Sequence, residues 1–171
     1  MKRQTFIPRV LFSLAAAGAM CSAEPVATTP AVPAKSGFTL ADLKAQIPQS
    51  KDGTFLIEIP MILSTATDLE VQGLLAGQPV ETTGQIMPQA SDNADGRHLR
   101  IFRSQLLCCA AHARQCSVAI ELPEKAPALK EMTWVKIVGT LSYKREDRRI
   151  VPVVIVREIK ETAAPATPLL N

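Results

Sequence analysis

From residue 51 to residue 162 the chain is cut into short β-branched or alternating runs by Pro, Gly and turn-forming residues, and this punctuation sets what it can fold into. Residues 54–59 lead into Pro60 and the apolar Met61-Ile62-Leu63; residues 80–87 alternate until Pro88; residues 92–96, Asp-Asn-Ala-Asp-Gly, are turn chemistry. Residues 97–107 then carry Leu99 and Ile101, with Phe102 beside them, toward a core. Residues 117–122 end at Pro123, residues 134–143 alternate Val135, Ile137 and Gly139, and residues 150–159 are β-branched throughout. Five or six short strands result, in a stretch of about 110 residues that can bury one core and not two. Gly84 and Gly139 suit sharp bends, and with so little helix a curled barrel is more economical than a sandwich. The expectation is an all-β fold, a small barrel of the oligonucleotide/oligosaccharide-binding (OB) type spanning residues 51–162.

The sequence ahead of this body has a different character. Residues 1–23 open with Met1-Lys2-Arg3 and Arg9, continue through a short apolar run, and end in Cys21-Ser22-Ala23, the pattern of a cleavable secretory signal. The run falls short of the roughly 20 residues that a membrane-spanning helix needs, so no span is expected after cleavage. Acylation at Cys21 is the poorer alternative, because the bulky Met20 precedes it. Residues 24–38 are rich in Pro, Ala and Thr and read as a disordered tether. Residues 39–50 hold a short amphipathic helix capped by Thr39 and ended by Pro48, and residues 163–171 form a C-terminal tail. The expected location is the periplasm or the exterior. Loss of Lys2, Arg3 and Arg9 lowers Lys plus Arg from 19 to 16, equal to the 16 Asp plus Glu. A neutral mature chain gives no basic surface for a nucleic acid, and none is expected as a partner.

Chemistry concentrates in Cys108-Cys109-Ala110-Ala111-His112-Ala113-Arg114-Gln115-Cys116. Thiolate and imidazole are the ligands that zinc or cuprous copper prefers. On a helical turn or two, Cys109, His112 and Cys116 stand at i, i+3 and i+7 on one face, and a fourth ligand would come from Cys108, His98 or water. The spacing matches none of the common paired Cys-x-x-Cys frameworks. In an oxidising compartment the simpler use of these thiols is structural, one inside the barrel and another bonded to Cys116. Elsewhere, residues 144–149 form a charge run of mixed sign that reads as a solvated hairpin loop, and the single Trp134 is either core or a stacking platform. Phosphate loops, nucleophile elbows and His-Glu-x-x-His are absent, and with two histidines in the chain an enzyme is not expected.

Taken together, Arg103-x-x-x-x-Cys108-Cys109-Ala110-Ala111-His112-Ala113, Trp134-Val135-Lys136-Ile137-Val138-Gly139-Thr140-Leu141, Val151-Pro152-Val153-Val154-Ile155-Val156 and Pro165-x-x-Pro168 form an ordered pattern. From about Gly77 to Leu170 the chain resembles the C-terminal, OB-like half of an uncharacterised bacterial family encoded beside predicted permeases. The resemblance implies an extracytoplasmic partner of a transporter with a link to metal homeostasis. It departs in two ways: members carry Asp at the position of His112, and they have membrane helices ahead of the domain.

The expectation is thus an exported OB-like binding or accessory module. It would handle a metal, zinc first, through Cys108, Cys109, His112 and Cys116, and associate with a membrane permease or another envelope protein. The alternative is a structural protein-interaction domain braced by a disulfide and holding no metal.

Overall fold

The computed structural model describes residues 37–87, 93, 95–107, 113–125 and 129–170. The expected signal, nearly all of the tether, and Cys108, Cys109 and His112 lie outside the described residues. The first element is α1, Leu40–Gln46, where Thr39 and Asp42 bond each other's backbone in a capping box, and Leu43 and Ile47 turn inward at 4% and 6% exposure. It is followed by β1, Phe55–Leu56, then α2, Ile59–Thr65, and α3, Leu69–Leu75. The strands are β2, Pro79–Ile86; β3, His98–Leu106; β4, Ala113–Glu121; β5, Trp134–Glu146; β6, Arg149–Glu161; and β7, Leu169–Leu170.

These strands form one sheet in the order β1-β2-β5-β6-β4-β3-β7, with β2 also pairing β3. The extra pairing turns β2, β3, β4, β6 and β5 into a ring, antiparallel at every step except β4 to β6. Closure is narrow among the described residues: Gln85 stands opposite Phe102 and Ile86 opposite Ile101, and the Met87 N–H donates to the Arg100 carbonyl just beyond. The described residues are therefore mostly strand around a seven-stranded sheet, with three helices among them, and do not form the clean all-β barrel expected.

The largest correction concerns residues 54–63, expected as strand. Only Phe55 and Leu56 pair with β2, and α2 follows at once. Pro60 stands at the start of that helix, where its missing N–H removes no intrahelical bond and its fixed φ favours the turn. A short apolar run cannot be assigned to strand or helix by period alone. The helix lies across β4 and also meets β2, β3 and β6, burying Ile59 and Ile62 completely. It is fastened at both ends. Glu58 at its N-cap reaches Arg103, and Thr65 Oγ1 meets the Tyr143 hydroxyl at 2.7 Å.

The core consists of the inward sets of the strands, Val80 and Ile86, Leu99 and Ile101, Val118 and Ile120, Val135, Ile137 and Leu141, with Phe55 and α2 closing it. Both glycines expected at bends lie in close approaches. A Cβ on Gly84 would stand 2.7 Å from Ile59 Cδ1, and one on Gly139 would stand 2.3 Å from the Ile155 carbonyl oxygen. Gly139 adjoins the register shift of β5 against β6. The charge run forms the tip of the β5–β6 hairpin, Glu146 opposite Arg149, with Asp147 at φ 52° in its two-residue turn. No described helix is long and apolar enough to cross a membrane.

Candidate functional site

In β3, Leu99, Ile101 and Arg103 share one parity and one face, because successive strand residues point to opposite sides. The guanidinium therefore follows two core residues inward, and Arg103 is 2% exposed. An isolated buried cation is costly, and three groups compensate it. Nη1 donates to Glu58 Oε2 at 3.1 Å, Nη2 donates to the Thr167 carbonyl at 2.6 Å, and the guanidinium carbon lies 5.3 Å from the centre of the Trp134 ring. Nε is buried without a partner. Glu58 is half exposed, so water screens its side of the ion pair.

One side chain thus joins four distant parts of the chain: the start of α2, the middle of β3, the first residue of β5, and the segment between Pro165 and Pro168. Three of these carry motif residues noted above. Trp134 is half-buried and serves as the platform under a cation. Sequence reasoning quoted Arg103 without marking it as buried. The available signal was its parity with Leu99 and Ile101.

Directly opposite Arg103 in the β3–β4 ladder stands Cys116, also buried, and residues opposite each other in such a pair share a face. Its thiol is free, and Sγ lies 3.8 Å from Gln105 Oε1. One expectation changes here: residue 116 sits in a strand, so the helical i, i+3, i+7 face does not extend to it, while Cys108 and Cys109, its expected disulfide partners, lie outside the described residues. His98 starts β3 at the end away from Leu106, roughly 25 Å along a strand of that length, and it pairs with Asp95 at 3.4 Å. Residues 108–112, whose site it was expected to complete, lie outside the described residues. Among the described residues no three His, Cys, Asp or Glu side chains stand together as a metal site.

The described residues also line a polar and an apolar concavity. A polar cleft of about 260 Å³ is lined by Asp52, Glu81, Lys136, Arg157, Glu158 and Lys160 among others. Four of these charges are paired, Lys136 with Glu81 at 3.4 Å and Lys160 with Glu158. Hydrogen bonds from Ser50, from its own backbone and from Thr54 hold the Asp52 carboxyl below its ordinary range, and Lys160 does the same for Glu158. A general acid needs the opposite shift, so neither group is suited to that role. The second concavity, about 320 Å³, is an apolar groove among α1, α2 and α3 that includes Phe38, Met61 and Val71.

The model of the family described as the DUF1980 C-terminal domain matches residues 69–170. The chain is also similar to three solved structures. It is 21% identical to the crystal structure of the telomere capping protein Ten1 from Saccharomyces pombe, covering 66% of this chain and 85% of that one, with a TM-score of 0.38. For the S. pombe Stn1–Ten1 complex the values are 22%, 71%, 88% and 0.39. For a DUF3299 family protein from Pseudomonas aeruginosa PAO1 they are 9%, 66%, 99% and 0.42. No curated protein matches the chain.

Proposed function

The chain belongs to the DUF1980 C-terminal domain family, and from that premise we propose that it is an exported, OB-like binding or accessory module that acts by holding a protein partner and not by catalysis. The observation that carries this reading is the role of Arg103. Among the motif residues, Arg103, Trp134 and the Pro165-x-x-Pro168 segment form a clasp that fastens chain segments to one another and presents no reacting atom. The five-stranded ring with its parallel β4–β6 step supports an OB-like Greek-key barrel. Export rests on residues 1–23, and the partner class is a membrane permease or another envelope protein.

The position of Cys116 argues against the four-ligand zinc site. A core thiol facing a buried guanidinium serves the fold first, and that leaves Cys108, Cys109 and His112 as the residues through which metal would bind. The test is the native mass of the protein isolated from the cell envelope. The proposed function predicts the mass of the processed polypeptide alone. A mass raised by one metal ion, and restored to the polypeptide value by His112→Asn, would replace this reading with metal handling.

A further inference from the structure

The geometry points to a strand-accepting peptide site on the edge of β3, filled in this chain by its own C-terminal segment. The inference rests on the binding-module reading and deepens it by naming the surface and the partner class: an extended segment with two prolines three residues apart, followed by two apolar residues.

One side of β3 pairs with β4 along its whole length, from His98 to Leu106, whereas the described contacts of the other side with β2 run only from Arg100, whose carbonyl accepts from the Met87 N–H, to Phe102. Beyond Phe102 that second side is an edge, and a bare edge of backbone donors and acceptors is a template for any extended chain. Here β7 covers it, with Leu169 opposite Ser104 and Leu170 opposite Gln105, parallel to β3. This is strand addition in cis, the arrangement by which many domains take an extended peptide in trans.

The socket is built independently of what fills it. Glu58 and Trp134 hold the Arg103 guanidinium from two sides, so Nη2 stays aimed at the position of the Thr167 carbonyl. With the segment seated, the Arg103 side chain is 1% exposed, so Nη2 needs an acceptor from the segment that covers it, and any chain seated there must offer a carbonyl at the position of Thr167. Adjacent prolines supply the backbone shape. Pro165 and Pro168 fix their own φ, lack N–H groups, and bias the residue before each toward extended conformations, Thr167 among them.

The occupant is held lightly. Its ladder is two residues long, Leu169 is 44% exposed, and residues 161–164 leading to it are exposed. Elements with short ladders and little buried apolar surface open at low free energy. Covalent connection through residues 161–164 raises the tail's local concentration to about millimolar, so a partner segment enters when the tail opens or when the partner binds more tightly than the tail.

The test uses the full chain, a Leu169→Asp/Leu170→Asp variant of it, and a fluorescent synthetic peptide copying residues 163–171. The site predicts that the variant binds the peptide about tenfold or more tightly than the unsubstituted chain, with NMR shift changes centred on residues 103–106. Equal binding by the two chains, or shifts centred elsewhere, overturns it. If the variant does not fold, amide exchange of the unsubstituted chain decides: exchange at Leu169 and Leu170 about a hundredfold faster than in β5 and β6 supports an exchangeable strand, and equal protection overturns it. Peptide binding is independent of metal content. A metal-free native mass without peptide binding removes this site alone, and a metal-bound mass with peptide binding removes the broader reading alone.

Discussion

A guanidinium has five N–H donors and stays charged at any pH a protein survives, so its burial is governed by how many of those donors find acceptors. Arg103 has found Glu58 and the Thr167 carbonyl and rests over Trp134. Removing the Glu58 charge leaves the cation buried with its neutralising partner gone, while the solvent reaching Glu58 limits the cost. Glu58→Gln is expected to lower stability by about 1–2 kcal/mol in urea unfolding, at unchanged slope. A value within about 0.3 kcal/mol of zero would mean that water already neutralises Arg103. This residue shows the limit of pattern reading: Leu99 and Ile101 announced an inward face, but nothing nearby in sequence marks the charge two positions later as part of it. Only the partners, 45 and 64 residues away, explain why the face continues.

At the scale of elements, what the sequence made legible was the β-branched, alternating material from β2 onward, because period 2 depends on neighbours alone. Gly84 and Gly139 were also legible as special positions, and their contacts supply the reason. The helix α2 was not, since five apolar residues around a proline fit a strand ending or a helix beginning equally well, and packing across the ring decided between them. The helical reading of residue 116 was overridden similarly, because Ala-rich sequence favours helix locally and the pairing of residues 113–121 with β3 outweighs it. The glycines allow a paired test. Gly139→Ala drives a methyl into the Ile155 carbonyl and Val154, and a loss of about 2–3 kcal/mol or more is expected. Gly73→Ala, in α3 with open space around it, is expected to gain roughly 0.5–1 kcal/mol. Thermal unfolding of the two variants should move in opposite directions, and a harmless Gly139→Ala would remove the close approach as the reason for that glycine.

At the scale of the molecule, the ring of five strands is narrowly closed between β2 and β3, and pieces from outside the ring finish it: α2 across β4, and the tail along the β3 edge. The family match begins at Leu69, so α2 is contributed by sequence ahead of it, yet Arg103 links that helix and the tail through one side chain. The account therefore treats the two as coupled. Hydrogen exchange of the full chain and of Arg103→Lys tests this most directly, because a lysine keeps the charge but its compact ammonium cannot serve Glu58, the Thr167 carbonyl and the Trp134 face together. Amides of α2 and of Leu169 and Leu170 are predicted to exchange faster together by about tenfold, which corresponds to about 1.4 kcal/mol, with β5 and β6 unchanged. Acceleration of the tail alone, or of neither segment, would contradict the claim that Arg103 holds them as one unit.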